Sequence, residues 1–437
     1  VNISLETTGC RTNQEEIETI RTELVRTGFT IVDDAVQADV VIVNSCSVTA
    51  HAEAKVRRLL HAIARRSPRA KILITGCMAQ QYGDHLLAAG TAVSWVVGNA
   101  RKGDIPAILR DQSGGVFLGE TKSGPLSVPH TISPPGSGGR TRFHLKIQEG
   151  CDNACAYCIV PLLRGRSRSA HEGEILDTCR SALDAGYKEI VLTGTHIGQF
   201  RGEGGQGRLL QLVERLLRIG GDFRLRLSSL DPGEISGGLL ALAGEGHGLC
   251  DHLHLSVQSL SGEVLKAMKR SHETLDDLVE KFTSFRRRYP FAGLGADFIV
   301  GFPGETDVMF EATLRNAEKI GFSYAHIFRY SLRPGTAAAV LPRKIPESVK
   351  RSRRESLRAV IEKSRQKFIE GQKGTMRRII VEQERPVRGV TSNYLSVELP
   401  GVSAVHNSWL EVVIEGSAGS GRFCRAVIQR KTLFSRK

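Results

Sequence analysis

Three cysteines fall within one short run, Glu149-Gly150-Cys151-Asp152-Asn153-Ala154-Cys155-Ala156-Tyr157-Cys158, in the spacing CxxxCxxC with an aromatic residue before the last thiol. Thiolates are soft ligands that suit zinc or iron–sulfur clusters. A structural zinc site closes with four ligands, usually as two paired halves, and no second half stands nearby. Three ligands on one loop instead suit a four-iron cluster that keeps one iron open. A small chelating molecule can bind there and accept an electron.

Cys10, Cys46 and Cys77 are far apart in sequence, yet each follows a predicted strand: Asn2–Glu6, Val40–Asn44 and Lys71–Thr75. In an open parallel sheet the loops after the strands share one edge, where ligands bind. The three thiols can therefore converge on a second metal site. A single cysteine at a strand end is usually a small buried hydrophobe. Core packing is the default for Cys179, which sits with Ile175, Leu176 and Leu183 at helical spacing, and Cys250 and Cys424 have no assigned role.

His252-Leu253-His254-Leu255-Ser256-Val257-Gln258 alternates strictly, with the leucines and valine on one face and the polar residues on the other. In a barrel of strands and helices the apolar face packs on the outer helices. The polar face then points inward, which makes Ser256 and Gln258 candidates to contact a polar cofactor, with the histidines read as structural. Two strand-end turns, Val191–Gly198 and Ala296–Thr306, are rich in glycine, which allows close backbone approach to a ligand.

The elements that must position these residues are α/β throughout, except at the end. Residues 1–100 alternate, with a fourth predicted strand at Trp95–Gly98 and helices at Asn13–Thr27, Thr49–Arg66 and Met78–Ala89, as in a doubly wound α/β domain. Residues 101–142 lose the alternation and include the Pro/Gly/Ser-rich run 127–139, the expected linker. Residues 143–345 alternate again. Strands are expected at Phe143–Gln148, Lys188–Gly194, Phe223–Ser229, His252–Gln258, Gly295–Val300 and Tyr324–Tyr330. Six β/α units make a partial or complete barrel, with its site at the carboxyl ends of the strands. A basic helical connector, 346–370, leads to residues 371–437. There the short runs Arg378–Glu382, Tyr394–Leu399, Leu410–Ile414 and Arg422–Ile428 predict a small all-β, OB-like barrel.

The chain of 437 residues carries a net charge of +14, and it is unevenly placed. Residues 341–370 hold ten Lys/Arg against four Glu, and 371–437 hold eleven against five, so +12 lies in the last quarter of the chain. Concentrated positive charge points to a polyanionic partner, most simply nucleic acid. Arg377, Arg378, Arg422 and Arg425 are the tail candidates by charge and strand position. No apolar run approaches a membrane span and no signal peptide opens the chain. Nine scattered cysteines are unlike a secreted disulfide scaffold, and a reducing cytoplasm is expected.

The cysteine loop, with Leu145–Gly150 before it and Ile159–Ser169 after it, resembles the radical S-adenosylmethionine enzymes and, within them, the methylthiotransferase family. The resemblance covers essentially the whole chain. It implies two [4Fe-4S] clusters, one on Cys151, Cys155 and Cys158 that binds S-adenosylmethionine, and an auxiliary one on Cys10, Cys46 and Cys77. It also implies cofactor contacts at Tyr157, Thr193, Gly194 and Asp297, and a C-terminal domain of the TRAM type. One departure is Leu260, which follows Gln258-Ser259 where the family commonly has glycine.

The reaction implied is replacement of a C–H bond by C–SCH3. Leu192–Gly198, Leu227–Leu230 and Arg329-Tyr330-Ser331 with Arg333–Thr336 look most like the branch acting on N6-threonylcarbamoyladenosine in tRNA, beside the anticodon. Other family substrates are isopentenyladenosine in tRNA and an aspartate of a ribosomal protein. A reading from another class is an iron–sulfur RNA-binding or redox-sensing protein without turnover. The family reading also requires an electron donor such as flavodoxin or ferredoxin, and a sulfur source.

Overall fold

Val40–Ser45 is buried at every position, as a strand covered by helices on both faces must be. It is the third strand of a six-stranded, all-parallel sheet in a computed structural model. That model describes residues 1–428 except 89–91, 121–125, 127–131, 137–139, 203–207, 271–273 and 419–422. The sheet runs β2-β1-β3-β4-β5-β6, with β1 Asn2–Thr7, β2 Thr30–Ile31, β3 Val40–Ser45, β4 Lys71–Gly76, β5 Val93–Val97 and β6 Gly115–Phe117. The strand order reverses between β1 and β3. Crevices outside the carboxyl ends at such a switch point are where open α/β sheets bind ligands.

Helices α1 (Arg11–Arg26), α2 (Ala50–Arg66), α3 (Cys77–Tyr82) and α4 (Ile105–Asp111) connect these strands. Val56, Leu60 and Ile63 recur at helical spacing on α2 and are buried. Thr49 caps this helix by accepting from the Ala52 amide at 3.1 Å. The expected helix Met78–Ala89 is shorter, α3 being followed by a 3-10 turn at Gly83–Leu86. The stretch from residue 101 read as linker is in part structural, since α4 and edge strand β6 extend the first sheet. Both segments are too short to show a clear period in sequence. The run 127–139 lies largely outside the described residues.

The second layer system contains β7 (Phe143–Glu149), α5 (Val160–Arg164), β8 (Arg168–Ser169), α6 (Glu172–Asp184), β9 (Glu189–Gly194), α7 (Leu209–Leu217) and β10 (Arg224–Leu227). It continues through α8 (Gly237–Glu245), β11 (His252–Gln258), α9 (Gly262–Ala267), α10 (Leu275–Arg288), β12 (Gly293–Val300), α11 (Asp307–Ile320) and β13 (Tyr324–Arg329). The six parallel strands β7, β9, β10, β11, β12 and β13 form two sheets, bridged at Leu225↔Leu249 and Leu230↔Leu255. Leu253, Leu255 and Val257 pack outward into one large core with Leu278, Phe282 and Phe285. The barrel is partial: among the described residues β7 and β13 do not pair. α1 packs across β7 at this opening, where Lys146 meets Glu15 at 3.2 Å.

Helix α12 (Glu347–Gly371) leads to a closed barrel ordered β14-β15-β16-β18-β17. Its strands are β14 Met376–Glu384, β15 Val387–Thr391, β16 Ser396–Leu399, β17 Trp409–Ser417 and β18 Cys424–Ile428. β15 was not expected; Pro386 and the glycine at 389 disguise it. This small barrel closes the amino-terminal end of the large one. Arg226 donates to the carbonyls of Thr391 at 3.0 Å and Ser392 at 3.0 Å, and to Glu189 at 2.6 Å. Burial opposes the charge on Glu189, but Arg224, Arg226 and Arg142 hold its carboxyl far below the usual range.

Candidate iron–sulfur and cofactor site

The CxxxCxxC loop leaves β7 through Gly150, at φ 76°, where an added Cβ would lie 2.0 Å from the Arg166 carbonyl. Only glycine fits that turn. The loop is then pinned on several sides. The Cys151 amide donates to Gly165 O at 3.1 Å, and the Ala156 amide to Met268 O at 2.9 Å. Cys151 is buried, and Cys155 and Cys158 are half-buried. Burial pushes the Cys158 thiol up to about 12, so without metal it stays protonated. Metal binding must release that proton.

Two side chains that sequence reasoning did not assign reach this loop. His196 Nδ1 lies 3.2 Å from Cys151 Sγ, and its Nε2 lies 2.6 Å from Glu234. Arg270 approaches Cys155 Sγ at 3.6 Å and donates to Asp231 at 2.8 Å. His196 sits in the quoted turn after β9, which was a usable signal. Nothing local distinguishes Arg270 from other arginines.

The other three cysteines occupy the expected slots on adjacent strands. Cys10 caps α1 after β1, Cys46 follows β3, and Cys77 opens α3 after β4. Cys10 and Cys46 therefore flank the switch point. A Cβ on Gly9 would come within 2.5 Å of Cys46 Cβ and 3.1 Å of its Sγ, so the first loop lies directly on Cys46. Burial, then the neighbouring thiols Cys10 and Cys77, push Cys46 up to about 12. Cys77 packs on Ile159 and Leu163, immediately after Cys158. Through this contact the loop of Cys77 adjoins the segment that follows the CxxxCxxC run.

The donor chemistry of each trio fits an iron–sulfur cluster: three thiols, soft and convergent, with a position left for another ligand. Among the described residues the group whose ligand atoms crowd closely enough for a single ion is a different one, His254, Asp297 and His326. Cluster thiolates stand farther apart than the ligands of one ion.

The expected cofactor contacts occupy one end of the large barrel. Tyr157 packs against the buried cluster that contains Phe302, Tyr330 and Met268. Thr193 is buried with its hydroxyl unpartnered, as is the Thr195 hydroxyl, which suits a polar ligand not supplied by the chain. Gly194 has a packing reason beside its expected role: a Cβ there would lie 2.6 Å from the Gln148 carbonyl. Ser256 and Gln258 share the inner face, and Gln258 takes φ 66° at a break in register. The left-handed residue of this turn is Gln258, and Leu260 does not take a positive φ. Leu260 is buried, and its amide donates to Thr313 Oγ1 at 3.3 Å. Asp297 lies deeper, its carboxylate bonded to two imidazoles.

Two of the four tail arginines are internal ties. Arg377 donates to Asp251 at 2.8 Å, and Arg378 binds Asp222 through two 3.0 Å hydrogen bonds. Their charge was legible, but their acidic partners lie over a hundred residues away. Arg425 is exposed, and Arg422 lies outside the described residues. Cys179 is buried, as expected of a packing residue, and Cys250 and Cys424 are buried as well.

Comparison with known proteins agrees with this architecture. Residues 2–98 match the uncharacterized protein family UPF0004, and residues 145–317 match the radical SAM superfamily. The threonylcarbamoyladenosine tRNA methylthiotransferase MtaB of Thermotoga maritima is 36% identical over 397 residues, covering 90% of this chain and 89% of that protein. A tRNA-2-methylthio-N(6)-dimethylallyladenosine synthase of Acidithiobacillus ferrooxidans is 33% identical over 450 residues, covering 99% and 98%. The radical S-adenosylmethionine methyltransferase TsrM of Kitasatospora setae superposes with a TM-score of 0.57 at 13% identity, over 78% and 77% of the two chains, a likeness of fold.

Proposed function

The chain belongs to the radical S-adenosylmethionine methylthiotransferase family, and on that footing we propose that it converts N6-threonylcarbamoyladenosine beside the anticodon of tRNA to the 2-methylthio derivative. It is a transferase that uses two [4Fe-4S] clusters and S-adenosylmethionine. When bound, these groups supply radical cleavage of an unactivated C–H bond, the inserted sulfur and its methyl group.

The observation that carries the reading is that the loops of the two cysteine trios adjoin, Cys77 packing on Ile159 and Leu163 just after Cys158. Cys151, Cys155 and Cys158 would hold the cofactor-binding cluster, and Cys10, Cys46 and Cys77 the auxiliary one. Tyr157, Thr193, Gly194, Ser256 and Gln258 would line the cofactor, and Asp297 would act from the layer beneath. His196 orients Cys151 by its hydrogen bond to Sγ, as groups behind metal ligands commonly do. Arg270 places positive charge beside Cys155.

The choice of threonylcarbamoyladenosine is supported by relatives of that name from Thermotoga maritima, Aquifex aeolicus and Bacillus subtilis at 31–36% identity. Relatives named for dimethylallyladenosine, at 33% identity, favour that nucleoside as the second reading. An electron donor such as flavodoxin or ferredoxin and a sulfur source complete the scheme, which would run in the cytoplasm. No helix among the described residues is long and apolar enough to cross a membrane.

Mass spectrometry of digested tRNA from cells with and without the gene tests the assignment. Loss of the 2-methylthio form with accumulation of threonylcarbamoyladenosine is expected. Unchanged threonylcarbamoyl nucleosides, with loss of the methylthio form of isopentenyladenosine, would select the second reading.

A further inference from the structure

Below the cofactor end of the barrel lies a polar layer that opens to one side. His254 Nε2 and His326 Nδ1 each lie 3.0 Å from Asp297 Oδ1. The Tyr324 hydroxyl lies 2.9 Å from His254 Nδ1 and 2.8 Å from His252 Nε2. His254 is therefore bonded through both ring nitrogens and is buried. His326 is not. Its side chain is 58% exposed, and Nε2 has no partner among the described residues.

β13 explains this asymmetry. Ala325 and Ile327 pack outward on the main core, so Tyr324, His326 and Phe328 face inward. β13 is also the edge strand at the barrel opening. A cleft of about 1290 Å³ runs along it, bounded by residues 49–51 and by α12. The cleft therefore connects solvent with His326. Arg354 and Arg358 of α12 also line it, and neither has an ion-pair partner among the described residues.

We propose that His326, held in place by Asp297, is the specificity residue that reads the acidic threonylcarbamoyl arm of the substrate base, while Phe328 supports the base itself. This rests on the substrate assigned above. The two candidate nucleosides differ in the arm carried on N6. The threonylcarbamoyl arm carries a carboxylate and a hydroxyl, whereas the isopentenyl arm is hydrocarbon. Asp297 takes the Nδ1 side of the ring, which leaves Nε2 turned outward to bond the polar atoms of the arm. The Phe328 ring is 43% exposed and lies 6.5 Å from the His326 ring, a surface on which a splayed-out base can stack.

Direction along the strand agrees. Tyr330, in the buried cluster against which Tyr157 packs, marks the cofactor end, and His326 lies four residues toward the other end, about 13 Å away at strand rise. C2 and C6 of adenine lie on either side of N1. A base on Phe328 with C2 toward Tyr330 therefore directs its N6 arm toward His326. A divalent ion on His254, Asp297 and His326 is the competing use of the same atoms.

The test compares binding of the cluster-loaded enzyme to synthetic anticodon stem-loops carrying threonylcarbamoyladenosine, isopentenyladenosine or plain adenosine beside the anticodon. Wild type is expected to prefer the first. His326→Ala should lower that preference by about tenfold or more, the size of a hydrogen bond to a charged group. His326→Arg should keep it, and His326→Leu should shift it toward isopentenyladenosine. A wild-type enzyme without the preference would overturn both this proposal and the substrate assignment. A wild-type preference that survives unchanged in the Ala and Leu variants would overturn this proposal alone. Stoichiometric Zn²⁺ binding lost in His326→Ala would also overturn it, since the ion would occupy the ring.

Discussion

Arg164 on α5 donates to Glu16 on α1 across 2.6 Å, joining the sheet domain to the barrel at a point where both side chains are 3% exposed. The same guanidinium nitrogen reaches Glu149 at 2.8 Å, and Lys102 and Lys146 complete the cluster. Burial opposes ionisation of Glu16, but Arg164, Lys102 and Lys146 hold its carboxyl well below the usual range. Glu16→Gln should therefore strand buried cations. Breaking one member of a buried pair costs about 3–5 kcal/mol. Thermal unfolding measures this, and a variant within about 1 kcal/mol of wild type would show that the seam is held by other contacts.

The two cysteine trios are separable by mutation. Cys10→Ala, Cys46→Ala and Cys77→Ala combined should halve the iron content and abolish methylthio product, while 5′-deoxyadenosine formation continues. Iron analysis and product mass spectrometry read the two outcomes. Normal product from the triple variant would remove the auxiliary-cluster role.

Charge that looks alike in sequence should behave differently in binding. Arg354→Ala and Arg358→Ala should each weaken stem-loop binding and lower the salt slope by about one, as lost phosphate contacts do. Arg377→Ala should leave the slope unchanged and reduce stability, because Arg377 is paired with Asp251. Salt titrations of affinity for the three variants decide this. Equal slopes in all three would place the RNA elsewhere.

Stability should fall on mild acidification. Burial, then Arg11, Arg142 and Arg140, push His144 down to about 3. Burial, then Arg226, His254 and Arg11, push His252 well below its ordinary 6.5. Both are neutral in the fold, so below pH 6.5 the unfolded chain binds protons that the fold refuses. Stability is full above that pH and declines as pH falls toward the folded values, by up to about 1.4 kcal/mol per pH unit per histidine. Urea midpoints at neutral and mildly acidic pH measure the loss. His144→Gln with His252→Gln should flatten it, and an equal loss in that variant would assign it to other groups.

How much of this was legible follows from where each partner lies. The CxxxCxxC loop is local, so its spacing alone carried the chemistry. Cys10, Cys46 and Cys77 could be grouped because apolar runs such as Val40–Val43 mark buried parallel strands, and strand ends share an edge. Arg270 against Cys155 was not legible, because a contact between residues 115 apart in sequence leaves no pattern. The pairing of His326 with Asp297 was hidden likewise, since register between β12 and β13 decides it. The acidic partners of Arg377 and Arg378 were hidden because composition reports charge and not neutralisation.

Tyr394, from the small C-terminal barrel, accepts a hydrogen bond from Arg11 at 3.1 Å and stacks on His252 at 4.6 Å and on Tyr324 at 5.3 Å. One aromatic ring thus touches all three modules. Tyr394 works like the pivot of a caliper: an RNA stem bound on the small barrel would meet the cysteine loops at a set distance, and reach measured from the stem would narrow which nucleotides arrive there.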